Sequence, residues 1–306
     1  MFNKILVPLD GSELAERALE PAFALARQAE GEVLLVRASA PERILIPDLH
    51  TSGGYGVLWP DQSLERAEEE AAEYLKSLRA ARAPRDLPVR AQVFEGAVAD
   101  VIVDTAVAEK AGLIVMSSHG YSGITRWVLG SVAERVLGSA PCPVLVIRSP
   151  RPLRHVLIPL DGSPLSERAV ASGLALAAGL GAEVTLFRAI PKVDVQEMRQ
   201  LDQAEHGLGW RLAEEIREET ESYLRTVTAA HPHPELEIKR VVMFDPAAES
   251  ILEYAETHAV DLIAMSTHGR TGPARWVYGS VTEKVLHGSH HSMLIVRPAK
   301  HELSAG

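Results

Sequence analysis

The sequence predicts an α/β protein made of two tandem doubly wound domains, each with a five-stranded parallel sheet. Three observations carry this. A long internal repeat is present: Lys4-Ile-Leu-Val-Pro-Leu-Asp-Gly-Ser12 returns as His155-Val-Leu-Ile-Pro-Leu-Asp-Gly-Ser163, and Arg126-Trp-Val-Leu-Gly-Ser-Val-Ala-Glu134 returns as Arg275-Trp-Val-Tyr-Gly-Ser-Val-Thr-Glu283. The register changes by only two residues between these anchors, so a whole domain is duplicated, with a period far too long for a solenoid. Within each half, strand patterns alternate with helix patterns, the signal for βαβ units and a parallel sheet. The leading run Ile5–Leu9 is short and apolar, as a buried central strand requires.

Taken in order, the first half reads as follows. After the Ile5–Leu9 strand, a helix runs from Ser12, a good N-cap, to Gly31, a good C′ residue, with Pro21 predicting a kink inside it. Val33–Ala38 is the second strand. The Gly-rich stretch Pro41–Pro60 has little periodicity and reads as an excursion loop. Leu64, Ala67, Ala71, Tyr74, Leu75 and Leu78 mark an amphipathic helix. Val89–Phe94 is the third strand, Ala99–Lys110 a helix, Leu113–Ser117 the fourth strand, Ser131–Leu137 a helix and Val144–Ile147 the fifth strand. The second half repeats this order, with its excursion near Lys192–Leu208. The prolines of Ser149-Pro-Arg-Pro152 mark the boundary, giving domains over residues 1–150 and 151–300.

Composition narrows the class. The 306 residues are 46% hydrophobic and 24% charged, the balance of a soluble globular protein. No apolar run approaches the ~20 residues a membrane helix needs, and no signal-peptide pattern opens the chain. A single cysteine, Cys142, excludes an internal disulfide framework and fits a reducing compartment, so the cytoplasm is the expected location. The net charge of −10, divided as −5 in each half, argues against nucleic acid as a partner. An anionic ligand must then be held by local dipoles and backbone N–H groups.

The chemistry-bearing residues gather where strands end. Met116-Ser117-Ser118-His119-Gly120 is followed by nine residues and Gly130-Ser131-Val132; Met265-Ser266-Thr267-His268-Gly269 is followed by nine residues and Gly279-Ser280-Val281. Open parallel sheets bind ligands at the carboxyl ends of such strands, near the topological switch point. A helix start there turns free N–H groups and a positive dipole end toward a phosphate.

These motifs resemble the universal stress proteins of the ATP-binding kind, which carry Gly, two residues, Gly, nine residues, then Gly-Ser or Gly-Thr. Both halves keep the last two glycines and the serine, and both have serine, Ser117 and Ser266, at the first glycine. The resemblance covers nearly the whole chain. It implies strand order 3-2-1-4-5, a nucleotide-binding α-hydrolase-like domain in each half and an internal pseudo-dimer. It implies ATP, with Mg, as ligand, one nucleotide per half. Asp10 and Asp161, with Pro8 and Pro159 beside them, match the residues that contact the nucleoside. Ala38 and Ala189 match the small residue lining the adenine pocket. Met116 and Met265, Gly120 and Gly269, Gly130-Ser131-Val132 and Gly279-Ser280-Val281 match the phosphate and ribose elements.

Plainer readings stand beside these. Asp-Gly-Ser is turn chemistry, so Asp10 and Asp161 also serve as turn residues. Ser131 with Glu134, and Ser280 with Glu283, have capping-box spacing. Met116 and Met265 also suit core packing. Arg126 and Arg275 suit either phosphate contact or stacking on the adjacent tryptophan. His119 and His268 lack a repeating Asp or Cys partner for a nucleophilic triad and read as loop or ligand-lining residues. His287, His290 and His291 occur in the second half alone and, without carboxylate or cysteine companions, predict no metal site. The phosphate-binding lysine loop, the dinucleotide Gly-x-Gly-x-x-Gly and the Gly-x-Ser-x-Gly nucleophile elbow are all absent, so no catalytic residue is expected. The expected function is nucleotide-dependent stress signalling, against two alternatives: a nucleotide-free interaction scaffold and a slow ATP hydrolase. The expected partners are an adenine nucleotide, an unidentified protein and a second copy of the chain, with neither nucleic acid nor membrane among them.

Overall fold

The computed structural model describes residues 1–39, 44–47, 55–58, 61–118, 129–191, 207–267 and 278–297. Its contacts divide the chain into two bodies: one built on Phe2–Thr125 and Gly130–Cys142, the other on the chain from Pro143 onward. Among the described residues no helix is long and apolar enough to cross a membrane.

In the first body, β1 (Lys4–Pro8) is flanked in parallel by β2 (Glu32–Ser39) and by β6 (Leu113–Ser117), and β2 pairs in parallel with β5 (Val89–Glu95). Ile5, Leu6 and Val7 are almost wholly buried, as are Val33 to Val36 and Leu113 to Val115. Burying each such side chain contributes roughly 1.5–3 kcal/mol, so these continuous apolar runs anchor the core. The helix Leu19–Gln28 packs on β1, β2 and β6, and the helix Asp61–Arg82 on β2 and β5. The predicted kink at Pro21 is replaced by a break ahead of it: a short helix, Glu13–Glu16, ends, and Leu19–Gln28 begins after two intervening residues. Pro21 thereby sits in a first turn, where no intrahelical acceptor awaits its missing N–H. In the second repeat Ser172 takes its place and the helix Pro164–Leu180 is continuous.

Two local expectations are revised. Gly31 is not the left-handed residue that ends its helix; Glu30 is, at φ +49°, with its N–H on the Arg27 carbonyl and the Gly31 N–H on that of Ala26. That is the Schellman pattern shifted by one residue. Gly31 is required for space instead, because a Cβ there would overlap the Asn3 backbone. The stretch Pro41–Pro60 is not all loop: β3 (Ile44–Pro47) and β4 (Tyr55–Leu58) form an antiparallel pair within it.

In the second body, β8 (His155–Pro159) pairs in parallel with β9 (Glu183–Ile190) and β11 (Leu262–Ser266). Outside these lie β10 (Ile238–Phe244), on β9, and β12 (Ser292–Val296), on β11. In repeat numbering this is the full order 3-2-1-4-5; the first body has 3-2-1-4. The strand β7 (Val144–Ile147), fifth in the first repeat, pairs antiparallel with β12 and matches Met293 with Val146 and Ile295 with Val144. Both strands are buried throughout, and Arg148 extends the contact by donating its backbone N–H to Ser292 Oγ at 3.2 Å. The larger part of the second excursion, residues 192–206, lies outside the described residues, and the helix Leu208–Ala230 follows.

Candidate functional site

The switch point of each repeat lies at its first strand, between β1 and β6 and between β8 and β11, because the chain winds outward on one side and then returns to the other. Asp10 emerges here. Leu9 N–H still bonds to the Val36 carbonyl at 2.8 Å, and the chain then turns through Gly11 at φ +91°. Ser12 donates to Asp10 Oδ1 twice, from its N–H at 2.9 Å and its hydroxyl at 2.6 Å, while Ser12 Oγ accepts from Ala15 N–H at 3.1 Å. The second repeat reproduces this: Ser163 donates to Asp161 Oδ1 at 2.9 and 2.6 Å and accepts from Ser166 N–H at 3.1 Å. The turn role of both aspartates is therefore real. It also holds the carboxylate in one orientation at the mouth of the switch point.

Strand register brings the other residues level with it. Leu6 pairs with Ile114 and Pro8 with Val36; counting on from those pairs puts Pro8 at the level of Met116, and Asp10 at the level of Ser118 and Ala38. Likewise Leu157 pairs with Ile263 and Pro159 with Phe187, which aligns Pro159 with Met265 and Asp161 with Thr267 and Ala189. Met116 and Met265 are buried, so core packing is their structural role. Ala38, Ala189 and Ser117 are half-buried. Ser266 is buried, and its carbonyl accepts from Thr282 Oγ1 at 2.9 Å. Gly120 and Gly269 lie outside the described residues, as do His119, His268, Arg126 and Arg275.

The Gly-Ser turns start helices, though not as a capping box. Gly130 is itself the N-cap of the helix Ser131–Ser139, and Gly279 that of the helix Ser280–Gly288; neither cap supplies a side-chain hydrogen bond. Ser131 and Ser280 are thus first-turn residues with exposed side chains, one position too late to cap. Gly130 N–H donates to the Ser118 carbonyl at 2.9 Å and Gly279 N–H to the Thr267 carbonyl at 2.7 Å. Those two N–H groups are engaged by the chain itself. The N–H groups of Ser131-Val132 and Ser280-Val281 come next and have no intrahelical acceptor. A phosphate suits them, because both the donors and the helix dipole favour an anion. A carboxylate such as Asp10 suits hydroxyl or amine donors instead. The two elements therefore offer complementary chemistry, an acceptor at one and donors at the other.

A further duplicated feature escaped the sequence. The Arg37 guanidinium lies 4.9 Å over the Tyr74 ring and against the Gly11 turn, and Arg188 lies 4.9 Å over Tyr223 and against Gly162. Tyr74 donates to Glu16 Oε1 at 3.1 Å and Tyr223 to Glu167 Oε1 at 2.9 Å. Burial first, and the neighbouring glutamate second, push both phenols above their ordinary range. Each arginine is thereby fixed at the rim beside the aspartate turn. The signal available in sequence was its position, one residue before Ala38 and Ala189.

Comparison with known proteins gives the family. The profile of the Universal stress protein family matches residues 1–148 and again residues 152–297. A universal stress protein of Methanocaldococcus jannaschii is 32% identical over 151 residues, 49% of this chain and 85% of its own length. One from Mycobacterium tuberculosis is 29% identical over 253 residues, 79% of each chain. Among solved structures, a universal stress protein of Archaeoglobus fulgidus shares the fold, with a TM-score of 0.66 at 18% identity, over 98% of this chain and 100% of that one. A functionally unknown protein of Pseudomonas aeruginosa aligns with a TM-score of 0.66 at 19% identity, over 100% and 98%. With one match in each repeat, the chain belongs to the universal stress protein family as a tandem of two family domains.

Proposed function

We propose that the protein binds ATP with Mg, one nucleotide in each repeat, and acts in the stress response as a nucleotide-dependent signalling module. The observation that supports this reading best is the duplicated pairing of a fixed carboxylate with an uncapped helix start at one switch point. Asp10 and Asp161 would accept from nucleoside hydroxyl or amine groups. Ser131-Val132 and Ser280-Val281 would receive the phosphates through backbone N–H groups and the serine hydroxyls. Arg37 and Arg188, beside the aspartate turns, supply positive charge there in a net acidic chain. Ala38 and Ala189 leave room for a flat base at the end of β2 and β9.

The experiment is calorimetric titration of ligand-stripped protein with ATP and Mg, together with mass spectrometry of ligand released from natively purified protein. Two equivalents per chain are expected, falling to one in Asp10→Ala and to none when Asp161→Ala is added. A value of zero for the well-folded parent protein would reject nucleotide binding and leave a protein-interaction scaffold. With no sequence signature for a phosphate-loop lysine, phosphate release at saturating ATP should stay far below the ~1–100 s⁻¹ of kinases.

A further inference from the structure

The three second-half histidines lacked a carboxylate companion in the sequence. The fold supplies one. Glu256, near the end of the helix Ala247–Thr257, has Oε1 2.8 Å from His290 Nδ1. The rings of His290 and His291 lie with centroids 4.0 Å apart and planes tilted by 33°, and one ligand atom from each of Glu256, His290 and His291 lies within 4.8 Å of the others. We propose that Glu256, His290 and His291 form a binding site for one divalent ion of the zinc type, clamping the helix Ala247–Thr257 to the turn that leads into β12.

The donor chemistry fits. Two imidazoles and a carboxylate form one of the three-ligand sets that zinc accepts, with a fourth position for water. At metal–ligand distances of ~2.0–2.2 Å, tetrahedral ligand atoms stand about 3.3 Å apart. The observed spread therefore closes by small side-chain rotations. Those rotations are cheap for Glu256 and His290, which are 56% and 36% exposed, and the buried His291 serves as the fixed point. His291 is already oriented: Ser289 Oγ lies 3.1 Å from its Nδ1 and accepts from its backbone N–H at 3.1 Å. A hydrogen bond to one ring nitrogen sets the angle at which a histidine presents the other to a metal. Arg148 and Asp261 are the other charged groups acting on His291, one of each sign. Arg148 is tied to the backbone, donating to the carbonyls of Ser289 and Leu286. Asp261 accepts from Arg154 and His155 N–H at 2.9 and 3.1 Å.

The site belongs to one repeat. The spacing between Met116 and Met265 carries Glu256, His290 and His291 back to Val107, Pro141 and Cys142. Two of the three donors are lost there, so one ion per chain is expected. His287, exposed on the helix Ser280–Gly288, lies outside the cluster and serves as the control.

The test is titration of metal-free, tag-free full-length protein with Zn²⁺, followed by calorimetry and by the thermal midpoint, with Co²⁺ absorption as a report on coordination. One equivalent is expected, with a raised midpoint and the intense visible bands of a four-coordinate nitrogen–oxygen site. His290→Ala and Glu256→Gln alter exposed positions and should melt as the parent does without metal, yet weaken Zn²⁺ by at least about tenfold and abolish the metal-dependent rise. His287→Ala should bind as the parent does. The proposal is overturned if the parent takes up no Zn²⁺ at up to 100 µM. It is equally overturned if His290→Ala and Glu256→Gln leave affinity and midpoint shift unchanged.

Discussion

Replacing Gly130 with alanine isolates the reason for a glycine at this turn. Its φ of −65° is open to every L-residue, so a left-handed backbone is not the reason. A Cβ at Gly130 meets the Ser118 carbonyl oxygen at 2.9 Å, whereas relaxed carbon–oxygen contacts run about 3.3–3.6 Å. The obstacle is backbone at the end of a buried strand, so roughly 0.4 Å of adjustment must come from the turn itself. That movement stretches the Gly130 N–H bond to the same oxygen, now 2.9 Å. Overfilling a packed contact costs about 1–3 kcal/mol. Restricting the unfolded chain returns about 0.4–1 kcal/mol. The middles of these ranges leave a net loss of about 1.3 kcal/mol, or a midpoint lower by roughly 3–5 °C for a unit of this size. Urea unfolding of ligand-free protein measures it directly. An alanine variant as stable as the parent, or more so, would refute the close-approach argument. Valine at the same place adds two methyl groups to the contact, so a loss of ATP binding in Gly130→Val would not isolate ligand approach.

Three shorter predictions accompany it. Because Ser131 follows the N-cap, Ser131→Ala should change unfolding free energy by less than about 0.5 kcal/mol, against about 0.5–2 kcal/mol for a true cap, while weakening ATP in the calorimeter. Glu30→Gly relieves an exposed left-handed residue and should raise the unfolding free energy by about 0.5–1 kcal/mol in urea. Glu109 is held down to about 2 by the hydrogen bonds from Arg90 and Lys4. Its folded value lies below its unfolded one, so its contribution is complete above roughly pH 4.5 and is lost as pH falls toward 2. Melts from pH 6 to 2.5 should show Glu109→Gln with a shallower acid limb than the parent.

Much of the fold was legible because its determinants are local. Ile5–Leu9, Leu113–Ser117 and the Asp-Gly-Ser turns follow from apolar runs and turn chemistry, and their recurrence at nearly constant spacing removed ambiguity. Pro21 signalled an interruption for the same reason, but as a kink inside one helix rather than the break at Arg17–Ala18. What escaped depends on partners distant in sequence. The pairing of Ile44–Pro47 with Tyr55–Leu58 has weak periodicity in a Gly-rich stretch. The seating of Arg37 on Tyr74 spans 37 positions and needs the helix Asp61–Arg82 to pack on β2. Glu256 reaches His290 only after the helix Ala247–Thr257 has docked. The capping-box spacing of Ser131 and Glu134 was present, but the turn placed Gly130, not the serine, at the cap.

The antiparallel seat of Val144–Ile147 on β12 also bears on how the second body meets other chains. A bare strand rim is a row of unused N–H and C=O groups, ready to template another protein's strand. Here the rim of β12 is already filled, with Met293, Leu294 and Ile295 each facing a β7 residue. The opposite border of that body is β10, where Lys239 and Arg240 are exposed and Lys239 Nζ bonds Glu183 at 2.6 Å. Charged side chains on a border strand discourage a stranger from zipping on. The rim of β12 is thus closed to a stranger by its own chain, and the β10 border is guarded by charge, so neither strand offers an easy template to a docking protein.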